Sequence, residues 1–191
     1  MTSQIIFNQK ISAEEETGRK RRLHRCAFTG HRPEKLEKPE SVVKAELRRE
    51  IIGGVHDGFS VFISGMARGV AIWAAELVLD LQKEFRDIKL ICAILYAGFE
   101  LRWSEEWQAR YRTILSHADY VRTLRPCYAA SAFRERNMWM VRHSARLIAV
   151  YNGTPGGTRN TILYAKEEGI DIKVVELGEY RQTKNEKVHY L

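Results

Sequence analysis

The chain has 191 residues, 45% of them hydrophobic, and a formal net charge of +7. That length suits one domain with a sizeable core, and no apolar run approaches the roughly 18 residues a membrane helix needs. The N-terminal stretch also lacks a signal-peptide pattern, so the expected location is the cytoplasm, with no membrane partner. Three cysteines, Cys26, Cys92 and Cys127, stand far apart without a CxxC pair, so neither a disulfide scaffold nor a metal site is expected. The basic balance points to an anionic partner, although much of it sits in the cluster Arg19-Lys20-Arg21-Arg22-Leu23-His24-Arg25.

In chain order, residues 1–24 read as a flexible extension. The first strand is Arg25 to Thr29, followed by the turn Gly30-His31-Arg32-Pro33. Glu40 to His56 places Val43, Leu47 and Ile51 at helical spacing. Ser60 to Ser64 is the second strand. After Gly65-Met66-Ala67-Arg68-Gly69 a helix is expected over Val70 to Phe85. Ile88 to Leu95 is a near-continuous apolar run of the kind buried between two helical layers. A helix over Glu100 to Ser116, a short strand over Asp119 to Thr123 and a helix over Ser131 to His143 follow. Arg146 to Tyr151 is the fifth strand, Thr158 to Glu168 a helix and Ile170 to Leu177 the sixth strand. Residues 179–191 form a polar tail. Strands alternating with helices predict parallel pairing through right-handed crossovers: a single doubly wound α/β domain over residues 25–178 with a mainly parallel sheet.

Three of the strands end in turns of glycine and small residues that lead toward helices. Backbone amides at such turns, with the positive end of the following helix, suit phosphate. The expected ligand-binding residues are Gly30, His31 and Arg32 in the first turn. In the second they are Ser64, Gly65, Met66 and Gly69, with Trp73 from the helix behind it. In the third, Asn152-Gly153-Thr154-Pro155-Gly156-Gly157-Thr158, they are Gly156, Gly157 and Thr158. Arg32 is placed to grip phosphate bidentately. Trp73 or Trp103 is a candidate wall for a base, while the helical spacing of Trp103, Trp107 and Tyr111 favours a core face. Arg136 and Asn137 either reach an anion or form a solvated helix face. No GxGxxG follows the first strand and no Walker lysine motif occurs, so an ordinary dehydrogenase or P-loop enzyme is not expected. The candidates for acid–base chemistry are Glu76, Glu105 and His31.

Taken together, several segments resemble the YpsA-like family of the SLOG superfamily, which includes the Smf/DprA and LOG proteins. The likeness runs from Cys26 to Leu177. It rests on Thr29-Gly30-His31-Arg32-Pro33, on Ile63-Ser64-Gly65-Met66-Ala67-Arg68-Gly69-Val70 with Trp73-Ala74-Ala75-Glu76, on Arg136-Asn137 with Trp139-Met140-Val141, and on Ala149-Val150-Tyr151 with Gly156-Gly157-Thr158. The resemblance implies a Rossmann-like fold and a pocket for a nucleotide or nucleotide derivative. This chain departs from the family pattern at Ala71, and at Arg142 or His143 and Ala145 or Arg146, where the family tends to carry aspartate. LOG enzymes need a glutamate in the helix after Pro-Gly-Gly, and here no carboxylate follows that turn until Glu167. The expected function is therefore a sensor or regulatory module for a phosphorylated small molecule, with no resident cofactor beyond such a nucleotide. The alternatives are a nucleotide N-glycosidase of phosphoribohydrolase type using Glu76 or Glu105, and DprA-like single-stranded DNA binding. Self-association into a homo-oligomer is left open.

Overall fold

A computed structural model describes Gly18 and residues 20–175. The expected N-terminal extension, apart from residues 18 and 20–24, and the polar tail over 179–191 lie outside the described residues. Six strands are present among them: β1 (Arg25–Gly30), β2 (Val61–Ser64), β3 (Lys89–Ile94), β4 (Tyr120–Thr123), β5 (Arg146–Val150) and β6 (Asp171–Val174). They alternate with α1 (Glu40–His56), α2 (Val70–Leu81), α3 (Glu105–His117), α4 (Ala132–Arg142) and α5 (Gly157–Glu167). The strands form one sheet in the order β4-β3-β2-β1-β5-β6. Every pairing is parallel.

The alternation of side chains along the strands divides the core in two. Cys26 and Phe28 of β1 and Phe62 of β2 face the side covered by α1, α2 and α3, where they meet Leu47, Val78 and Tyr111. Ala27 and Ile63 face the side covered by α4 and α5, where they meet Met140, Val141 and Ile162. Phe28 and Phe62 stack with ring centroids 6.0 Å apart across neighbouring strands. From Val70 to Ala75 α2 is buried at every position, which explains why its apolar residues run all round rather than along one stripe.

Element boundaries depart from expectation where local backbone decides. The helix expected from Glu100 begins at Glu105, because Gly98 takes a left-handed conformation (φ 81°) and opens a 3-10 turn over Phe99–Arg102 instead. The helix expected to Phe85 ends at Leu81. The last strand covers only Asp171–Val174, and residues 176 and 177 lie outside the described part.

The sheet reverses its winding between β1 and β5. Strands after β1 add on one side, whereas β5 returns to pair with β1 on the other, with Gly30 opposite Val150 at their carboxyl ends. Such a switch point opens a crevice at the strand ends. The three glycine-containing turns follow β2, β1 and β5, which are adjacent in the sheet.

Candidate functional site

Two glycines let the first two turns lie against each other. A Cβ on Gly30 would stand 2.5 Å from Cβ of Val70, the first residue of α2. Gly69 has φ +87°, and a Cβ there would meet the His31 carbonyl oxygen at 2.7 Å. The Val70 amide then donates to that same carbonyl at 3.3 Å. Ser64 shapes the second turn from within. Its hydroxyl is fully buried, donates to the Ala71 carbonyl at 2.7 Å and accepts from the Met66 amide at 3.1 Å.

Between the three turns lies a cleft of about 510 Å³. Of the residues expected to bind ligand, Gly30, His31, Arg32, Gly65, Gly157 and Thr158 line it. The others do not. Ser64 and Met66 are fully buried and support the loop, so the hydroxyl expected to touch a ligand is engaged inside the protein. Gly69 is the packing point against His31 and Pro33, and Gly156 is the residue preceding α5. Trp73 is 2% exposed and packs on Trp107, with ring centroids 6.4 Å apart. Trp103 contacts Phe99 and Tyr111 edge to face. Both tryptophans belong to the packing around α2 and α3, and the phenylalanines at the cleft are instead the buried Phe28 and the more exposed Phe133.

The carboxylates expected for catalysis lie elsewhere. Glu76 is on α2, where it accepts hydrogen bonds from Arg110 of α3 (2.6 and 2.7 Å) and Lys44 of α1 (3.0 Å). Burial pushes its carboxyl up, but the hydrogen bonds from Arg110 and Lys44 outweigh this and hold it below its ordinary value. Glu105 is exposed in the first turn of α3 and does not line the cleft. The one carboxylate among the described lining residues is Glu34, and Arg68 pairs with it at 3.0 Å.

His31 is the acid–base candidate that does reach the cleft. It is 4% exposed, stacks on Tyr151 with ring centroids 5.7 Å apart, and leaves Nε2 buried without a hydrogen-bond partner. Burial and then the charge of Lys35 lower its pKa, so the ring is neutral at pH 7.

The residue that sequence reasoning left undecided gives the cleft its charge. Arg136 of α4 is 6% exposed, and no carboxylate pairs with it among the described residues. Its Nη1 donates to the Gly65 carbonyl at 2.7 Å, and its Nη2 donates to Asn137 Oδ1 at 3.2 Å. Asn137 Nδ2 donates to Thr161 Oγ1 at 2.8 Å, and Thr161 donates on to the Gly157 carbonyl at 2.8 Å. A chain of hydrogen bonds thus joins the turn after β2 to the start of α5. Burial lowers the Arg136 pKa to about 10, which leaves the guanidinium charged at neutral pH. A buried charge without a counter-charge is costly, so this side chain suits a site completed by an anion. Its signal in the sequence is its place at the middle of Ala132, Arg136 and Met140, the i, i+4, i+8 stripe that α4 buries.

The N-terminus of α5 adds to the same wall. Gly156 precedes the helix and supplies no side-chain oxygen to its first amides, and Gly157 and Thr158 line the cleft. Arg32, Lys35 and Arg68 also line it. Four cationic side chains therefore surround one carboxylate. Among the described residues, no group of three or more His, Cys, Asp or Glu could hold a metal, and no helix is long and apolar enough to cross a membrane.

The YpsA profile, described as the YspA SLOG family, matches residues 26–178. The chain belongs to this family. Relatives in Bacillus agree: it is 30% identical over 158 residues to a UPF0398 protein of Bacillus pumilus (strain SAFR-032), covering 78% of this chain and 84% of the relative. It is 34% identical over 153 residues to a UPF0398 protein of Bacillus thuringiensis (strain Al Hakam), covering 75% and 83%. Among solved structures, DNA processing protein A (DprA) from Streptococcus pneumoniae is similar with a TM-score of 0.56 and 19% identity over 78% of this chain. This chain spans 49% of that DprA. DprA from Helicobacter pylori, solved for its single-stranded DNA binding mode, is similar with a TM-score of 0.53 and 17% identity, over 82% of this chain and 66% of that one. These likenesses establish a DprA-like Rossmann-type fold for this member of the SLOG family.

Proposed function

We propose that this SLOG protein is a binding module, a sensor or regulator, for a nucleotide or nucleotide derivative whose phosphate lies in the cleft between the three turns. The observation that carries the reading is the buried Arg136 guanidinium, which faces the cleft without a carboxylate partner. The α5 amide end and the rim cations Arg32 and Lys35 support it. Binding is favoured over glycosidic cleavage because Glu76 is held in ion pairs on the opposite helical layer and Glu105 stands outside the cleft.

Calorimetric titration of the full chain with phosphorylated small molecules tests it. Arg136→Met weakens whichever phosphorylated compound binds by about thirtyfold, the loss of roughly 2 kcal/mol from one charged hydrogen-bonding partner. Unchanged affinity in that variant, or no binding across the panel, refutes the proposal.

A second reading, single-stranded DNA binding, is favoured by the net charge of +7 and by the likeness to the Helicobacter pylori protein. It predicts oligonucleotide affinity that falls steeply as salt rises, with a log–log slope set by the number of phosphates contacted. A fluorescence-anisotropy titration at several salt concentrations reads that slope, and a flat response removes this reading.

A further inference from the structure

A second concavity of about 430 Å³ opens between α4 and α5. It shares Phe133, Asn137 and Gly157 with the cationic cleft, so the two adjoin along these residues. Their chemistry differs. The second part is walled by Phe133, Leu163 and Tyr164, and the first two are 39% and 44% exposed. A single exposed leucine is ordinary on a protein surface. Here two large apolar side chains from different helices face one groove, and the Arg134 guanidinium lies 5.8 Å over the Tyr164 ring. Asn160 and Glu167 add hydrogen-bonding groups to the same groove. They share a helix face with Leu163 and Tyr164, being spaced three or four residues apart along α5. At ~1.5 Å rise per residue, Leu163 stands about 9 Å along the axis from the Gly157 end where an anion is favoured.

We infer that this groove is the base subsite: a nucleoside monophosphate, or a derivative containing one, binds with its phosphate at Arg136 and the α5 N-terminus and its heterocycle against Phe133, Leu163 and Tyr164. The inference rests on the phosphate-binding reading of the cleft and adds the orientation of the ligand. Flat rings stack on such a surface with little regard for which base is present, and Asn160 and Glu167 meet the polar edge. Asn137, common to both parts, stands at the junction where a ribose joins the two.

The test compares affinities of the full chain for inorganic phosphate, ribose phosphate and the monophosphates of adenosine, guanosine, cytidine and uridine. At least one nucleotide is expected to bind about tenfold more tightly than ribose phosphate, the gain that stacking one base supplies. Leu163→Asn, a neutral change at a position exposed enough to keep the fold, brings that nucleotide down to the ribose phosphate value, while ribose phosphate, which does not reach Leu163, shifts less than about twofold. The base subsite is overturned if no nucleotide exceeds ribose phosphate, or if the margin survives Leu163→Asn. Binding of neither phosphate, ribose phosphate nor any nucleotide defeats the phosphate-binding reading and the subsite with it.

Discussion

His31 and Arg136 are both buried ionisable groups at the cleft, and burial acts on them with different results. The guanidinium starts from so high a pKa that it stays charged, whereas the imidazole is kept neutral. This gives His31 a signed effect on stability. Its folded pKa is depressed below the ordinary 6.5, so as acid is added the unfolded chain takes up the proton first. Above 6.5 both states are neutral and the group contributes no pH dependence; as pH falls from there toward the lower folded value, stability is lost. His143, lowered mainly by burial, acts in the same direction. Denaturant unfolding at pH 7 and pH 5 therefore yields a smaller difference for His31→Gln than for the unmodified protein. An equal or larger difference shows that other groups govern the acid response.

At the scale of elements, Glu76 belongs to a motif conspicuous in the sequence and sits in an ion-pair cluster away from the cleft. It lies at the meeting of α1, α2 and α3, where Lys44 and Arg110 both reach it and Arg110 also donates to Glu40 at 2.6 Å. The side chains of Glu76 and Arg110 are 24% and 18% exposed, so solvent screens this cluster only in part. Glu76→Gln is expected to lower stability by about 1–2 kcal/mol and to leave ligand affinity within twofold. Thermal or denaturant melts and a binding titration on the same variant separate the two effects. A large loss of affinity with stability intact assigns Glu76 to the site instead. α4 gives the opposite lesson, since Arg136 lies on its buried stripe among apolar residues and takes its importance from what it faces.

For the whole molecule, the parallel doubly wound sheet and the placing of the turns at its strand ends were legible because they follow from strand–helix alternation and the rules of parallel crossovers, whereas the strand order was not. Six of the expected ligand residues reach the cleft for that reason. Those outside its lining could not be told from the rest in the sequence. Ser64, Met66 and Gly69 belong to the right turn, but which atoms of a tight turn point outward depends on dihedrals such as the positive φ of Met66 (53°) and Gly69 (87°), which composition does not reveal. Trp73 fits an apolar helix face and a stacking wall equally well until the partner across the interface, Trp107, is known. Arg136 stands out only by a reverse inference, from a charge on a stripe that is otherwise apolar to the cleft it faces.

The tether from Gly65 through Arg136, Asn137 and Thr161 to Gly157 also has a mechanical side. The guanidinium is the link by which the Gly65 loop is held to α4 and, through Asn137 and Thr161, to the start of α5, so two stretches remote in sequence share one side chain as their fastening.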